Sequence, residues 1–201
     1  MRFSIKKAAL AGVVCSVVAC VSSAMAADGK SNSVSMRFVG SVTSSTCDVR
    51  PYNSSGVDAT TINVGSMSPG SEGNATAAVS FSLKPTNCNV GGISSAAATV
   101  SWASSALSTI GFLNEHGTAK GVHVKLTPVN GAGANPIDET AGGVKADEVI
   151  REGANTVYYK ATGDGKLNMP FAYKVSLERN GAETAEAGTV DADAIYTVSY
   201  N

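Results

Sequence analysis

Two histidines, His116 and His123, are the residues best suited to move a proton at neutral pH. A catalytic histidine needs a nucleophile or a metal within reach. No serine elbow, phosphate-binding loop or paired-histidine zinc motif accompanies either one. His116 falls in a turn rich in Gly and Asn, and His123 on the polar side of an alternating segment, so both read as solvated surface residues. Asp147-Glu148, and Glu183 with Glu186, are the acidic pairs. With charged residues at only 15%, they read as a solvated rim rather than an acid/base dyad. Gly131-Ala132-Gly133 lacks the strand–turn–helix frame of a nucleotide loop. The expectation is a non-enzyme with no metal or cofactor.

The cysteines carry the remaining chemistry. The first 26 residues read as a secretory leader: Arg2, Lys6 and Lys7 open it, Ala8–Val21 is its apolar core, and Ala24-Met25-Ala26 is its cleavage site. The mature chain then begins at Ala27. Loss of the three cations moves the formal net charge from −1 to −4. Cys15 and Cys20 leave with the leader. Cys47 and Cys88 remain as an even pair in an oxidising compartment, which argues for one disulfide. Closing a loop of about 40 residues stabilises by roughly 4 kcal/mol on the chain-entropy model. A competing reading takes Val17-Val18-Ala19-Cys20 as a lipid-attachment signal.

Trp102, Tyr158, Tyr159 and Tyr173 have two readings, a platform for stacking sugars or ordinary packing in a core. No basic patch or charge run points to nucleic acid.

The elements that would hold these residues are short strands. The last fourteen residues, Gly188 to Asn201, place Val190, Ala192, Ala194, Tyr196, Val198 and Tyr200 on one side of a period-two segment. Asp191, Asp193, Thr197 and Ser199 fall on the other, with Ile195 as the apolar exception. A second alternating segment, Val34, Met36, Phe38, Gly40 and Val42, opens the mature chain. Between them, strands are expected at 60–64, 77–84 (stopped by Pro85), 97–104, 121–129, 156–161 and 171–178. Residues 107–113 read as a strand or a turn of helix, and 145–151 as a short helix or strand edge. Loops are expected at 51–59, 66–74, 130–144 and 180–187, with a turn at Gly91-Gly92. Short strands separated by turn signals, without a repeat or a second hydrophobic block, predict one antiparallel β-sandwich domain.

The two terminal segments and the cysteine pair together resemble the structural subunits (pilins) of chaperone–usher fimbriae of Gram-negative bacteria. The residues that carry the resemblance are Phe38-Val39-Gly40-Ser41-Val42 followed by Cys47, the partner Cys88, and the C-terminal pattern with Gly188 fourteenth from the end and Tyr200 penultimate. Val100-Ser101-Trp102, Gly111-Phe112 and Gly121-Val122-His123 are most similar to major subunits of enterotoxigenic-type adhesive fimbriae. The resemblance implies an incomplete immunoglobulin-like sandwich lacking its last strand. A periplasmic chaperone, and then the N-terminal extension of a neighbouring subunit delivered at the outer-membrane usher, would supply that strand. It implies a leader at 1–26, a donor-strand extension at 27–39 with Val34, Met36 and Phe38 as the inserted residues, and a pilin domain at 40–201. The groove edge would be Gly188, Val190, Ala192, Ala194, Tyr196, Val198, Tyr200 and Asn201. The implied function is a structural, major-type subunit of an adhesive cell-surface fimbria. It polymerises head to tail with copies of itself and other fimbrial subunits after passage through the periplasm. Gly29 is out of phase with the inserted residues and the extension is short, which is a departure from the family pattern. Two alternatives stand beside this reading: a single-domain subunit that itself binds a host glycan receptor, and a non-polymerising periplasmic or lipid-anchored sandwich.

Overall fold

The structure, a computed structural model, describes residues 34–43 (through their backbone pairing), 48–69, 75–86, 97–163, 167 and 169–200. Expectations for the leader, for residues 27–33, Cys47, Cys88, the Gly91-Gly92 turn and Asn201 lie outside the described residues.

Eleven strands are formed: β1 Val34–Thr43, β2 Asp48–Asn53, β3 Thr61–Asn63, β4 Val79–Thr86, β5 Ala97–Ala103, β6 Leu107–Ser108, β7 Gly111–Leu113, β8 Val122–Pro128, β9 Thr156–Lys160, β10 Phe171–Arg179 and β11 Val190–Tyr200. They build two sheets, β3-β1-β11-β5-β9 and β2-β4-β10-β8-β7-β6. No helix occurs among the described residues. All strand pairs are antiparallel except β1 with β11, which run parallel. The architecture is the expected all-β sandwich.

Period-two sequences build the core because alternate side chains of a strand share a face. Ala98, Val100 and Trp102 of β5 meet Phe171, Tyr173, Val175 and Leu177 of β10 in the buried interior. Aromatic rings span the space between the sheets. Trp102 lies edge-on to Tyr173 at 5.1 Å, Tyr173 stacks on Phe81 at 5.5 Å, and Tyr196 lies 5.7 Å from Trp102. The Tyr196 hydroxyl donates to the Val49 carbonyl at 2.8 Å and so ties β11 to β2 of the opposite sheet.

Several local expectations are corrected. Residues 51–53 are not loop; they finish β2, an edge strand that tolerates Pro51 because an edge has one bonded side. Pro85 does not stop β4, which continues to Thr86; pairing with β10 ends at Leu83, so only β2 is alongside Pro85. Residues 107–113, read as a strand or a turn of helix, take the strand alternative as the β6–β7 hairpin. Residues 145–151 form neither helix nor strand; their backbone instead bonds the end of β8, Asp147 N–H to Pro128 O and Ile150 N–H to Leu126 O. His123 is buried, not solvated: its Nδ1 lies 2.9 Å from the Asn180 side-chain oxygen, and Gly111 packs against its ring.

The free side of β9 is covered by the long loop before it. Asp138 and Val144 donate backbone N–H groups to Tyr158 and Thr156, and Lys160 donates to Pro136. Gly143 is required there, since a Cβ would lie 2.5 Å from both the Thr156 carbonyl and the Tyr158 ring. Blocking an edge in this way removes a template for unwanted pairing.

Burial holds the phenols of the core in their neutral form. It pushes Tyr196 and Tyr200 up to about 12, and Tyr159 and Tyr173 well above the ordinary value near 10. Folded values above unfolded ones mean stability that is intact below pH 10 and lost as the pH rises beyond it. We predict a melting temperature that these groups leave unchanged up to about pH 9 and that falls steeply between about pH 10 and 12, measured by Trp102 fluorescence. Tyr196→Phe, which strands the buried Val49 carbonyl, should cost about 1 kcal/mol in urea unfolding.

Candidate strand-binding site

The apolar face of β11 is as alternating in space as in sequence. Val190, Ala192, Ala194, Tyr196 and Val198 are buried. Tyr200 is half-buried, with its ring 6.5 Å from Phe171. Ile195 stands 47% exposed on the opposite side. One edge of β11 pairs with β5, from Ile195↔Ala103 to Tyr200↔Ala98. The other edge faces a slot one strand wide, with β3 as its far wall.

β1 fills that slot. It pairs parallel to β11 over its full length, from Val34↔Val190 to Thr43↔Ser199, and antiparallel to β3 from Ser35↔Asn63 to Arg37↔Thr61. The two segments singled out at the ends of the sequence are therefore brought together. Met36 and Phe38 fall at the register positions of Ala192 and Ala194, Gly40 at that of Tyr196, and Val34 and Val42 at those of Val190 and Val198. The strand is continuous through residues 39 and 40.

Gly188 has a physical role of its own. A Cβ there would lie 2.3 Å from the Ala119 nitrogen and 2.6 Å from the Thr118 carbonyl carbon. The start of β11 is thus clasped by the 114–119 turn at a distance only glycine permits. Asn114 organises the clasp: its amide nitrogen donates to the carbonyls of Ala119 and Thr189, and its oxygen accepts from the N–H groups of Gly117 and Asp191, at 2.8–3.1 Å. All four bonding positions of the amide are used. Nothing in the local sequence singled out Asn114; its Thr189 and Asp191 partners are remote in sequence. His116 sits beside the clasp, with its Nε2 3.5 Å from the Asp193 carboxylate and 3.9 Å from that of Glu115. It is exposed, as expected.

The sugar-stacking reading of the aromatics does not hold. Trp102, Tyr159 and Tyr173 are fully buried between the sheets, and only Tyr158 is partly exposed. Asp147, Glu148, Glu183 and Glu186 are exposed. Among the described residues no group of three His, Cys, Asp or Glu side chains is placed to hold a metal ion.

Gly188→Val forces the 118–119 backbone away from β11. We predict a loss of about 2–3 kcal/mol in denaturant unfolding, with the Trp102 core signature retained at low denaturant.

Comparison with known proteins accords with this architecture. The family model described as Fimbrial protein matches residues 36–201, from within β1 to the end of the chain. The F107 fimbrial protein of Escherichia coli is 30% identical over 184 residues, covering 89% of this chain and 89% of its own length. The matched region takes in both strands of the slot and the clasp that holds β11, and the chain belongs to the fimbrial protein family, as a fimbrial subunit.

Proposed function

We propose that this subunit is a structural, major-type component of an adhesive cell-surface fimbria that polymerises head to tail by exchange of donor strands. Residues 27–39 are the donor, with Val34, Met36 and Phe38 as inserted side chains, and the slot between β3 and β11 is the acceptor. The observation that carries this reading is the pairing of a ten-residue strand with β11 from Val190 to Ser199, with β3 on its other side. Insertion of three apolar side chains contributes about 1.5–3 kcal/mol each. Each added backbone hydrogen bond contributes about 0.5–1.5 kcal/mol. A joint of that size outlasts thermal fluctuation, and a joint between unlike surfaces propagates as an open fibre.

Before assembly the same slot needs a temporary strand, the role of a periplasmic chaperone, with delivery at an outer-membrane usher. Residues 1–26 are the export leader. A disulfide between Cys47 and Cys88, the even pair of the exported chain, would join the residue before β2 to the stretch just after β4. It would lock the β2–β4 ladder.

The test is thermal unfolding of a chain lacking residues 27–39, with and without a synthetic peptide of that segment. Peptide at one hundred times its Kd should add about 2.7 kcal/mol and raise the melting temperature by roughly 5–10 °C. The same peptide carrying Phe38→Asp should add nothing. A truncated chain that is stable and indifferent to the peptide would refute donor exchange. In the intact subunit, Phe38→Asp should abolish fibre growth seen by electron microscopy.

A further inference from the structure

The sheet β2-β4-β10-β8-β7-β6 carries a polar cleft on its outer face, away from the slot beside β11. β8 and β10 lie side by side there, with Lys125 opposite Ser176 and Thr127 opposite Lys174. These residues alternate with the apolar core residues of the same strands, so they share the face turned away from the core. Two segments form the sides. Thr76 runs along β10, giving its N–H to the Leu177 carbonyl and accepting the Leu177 N–H on its hydroxyl. Asp147 closes the opposite side, with its N–H on the Pro128 carbonyl at the end of β8. The space between them is about 290 Å³, close to the roughly 300 Å³ at which ligand pockets begin.

The polar groups of the cleft are unequally satisfied. Lys125 is paired, its ammonium 2.8 Å from the Glu178 carboxylate. Ser176 is only 8% exposed, yet its hydroxyl has no hydrogen-bond partner among the described residues. A buried hydroxyl left in that state is an open bonding position facing the cleft. The Thr127 hydroxyl reaches only the Lys174 carbonyl, at 3.5 Å. The Lys174 ammonium and the Asp147 carboxylate line the same space and have no charged partner among the described residues. Asp147 is also the one non-glycine among the described residues with a positive φ, 61°. Glycine adopts that backbone freely, so a carboxylate is held in this wall at a conformational cost.

We propose that this cleft binds a sugar carrying one carboxylate. Lys174 takes the carboxylate through a charge-assisted hydrogen bond. Ser176 and Thr127 on the floor, and Asp147 at the side, bond the ring hydroxyls, and Ala75 and Ala78 lie against its C–H groups. A bare anion fits less well, because Asp147 and Glu178 share the small space and repel it. A neutral sugar leaves Lys174 without a counter-charge. The site is independent of strand exchange. On the polymer reading above it recurs in every subunit, so that a weak single contact is multiplied by avidity.

The test is an NMR titration of the exported chain with glucuronic acid, N-acetylneuraminic acid, glucose and sodium acetate as separate probes. At least one sugar acid should bind with a Kd of about 1–10 mM and shift the amides of residues 125–127, 147 and 174–178. Glucose and acetate should bind about tenfold more weakly or not at all. The better of the two acids tells a uronic residue from a sialic one as the source. Lys174→Met should weaken the sugar acid about tenfold. Asp147→Gly, whose backbone suits the position, should weaken it about fivefold and leave the Trp102 melting curve in place. Failure of both acids to shift any amide would overturn the site. Acetate or glucose binding as well as the acids would overturn the ligand class. Undiminished binding by either variant would place the ligand elsewhere and overturn the cleft as its site.

Discussion

An apolar face and a row of backbone donors and acceptors meet along one edge of β11, and neither can be left bare. The face belongs to the same core that buries Trp102 and Tyr173. Uncovering it would expose valine, alanine and tyrosine to water and leave N–H and C=O groups without partners. Much of the remaining architecture follows from that constraint. β5 fixes one side of β11, the opposite sheet covers its buried face, and the Tyr196 hydroxyl anchors it to β2. In this structure β1 covers the last side.

The protein treats its edges unequally. β9 is shielded by its own loop, with backbone bonds from residues 138 and 144 and a glycine that allows the close approach. β2 carries proline. β3, the far wall of the slot, is only three residues long. The two sheets are thus guarded against promiscuous pairing at these margins, while the slot beside β11 takes a strand of ten residues.

The alternation of β5, β10 and β11 was legible in the sequence because a half-buried strand writes its period directly into residue type. So was the exposure of His116, which sits on a turn. Less was legible where long-range geometry decides. β2 was hidden behind Pro51 and a cluster of turn residues, since an edge position can be judged only once its neighbours are known. His123 looked polar-facing and solvated, yet Asn180 and Gly111 enclose it. Asn114 holds the start of β11 through partners some 75 residues away, beyond any local pattern. The alternation of Val34 to Val42 announced a strand but not its direction, because period two reads the same from either end.

The β1–β11 contact joins nearly the first described residue to nearly the last, Val34 to Val190. Contacts so distant along the chain form late, because the entropy of closing the whole intervening segment must be met before they return anything. The other ladders of the sandwich join residues closer in sequence, apart from the Tyr196 tie to Val49. A chain emerging from its N-terminus therefore presents its first strand long before the edge that receives it exists. Each newly made molecule passes through an interval in which the sheets are built and one seam is still open.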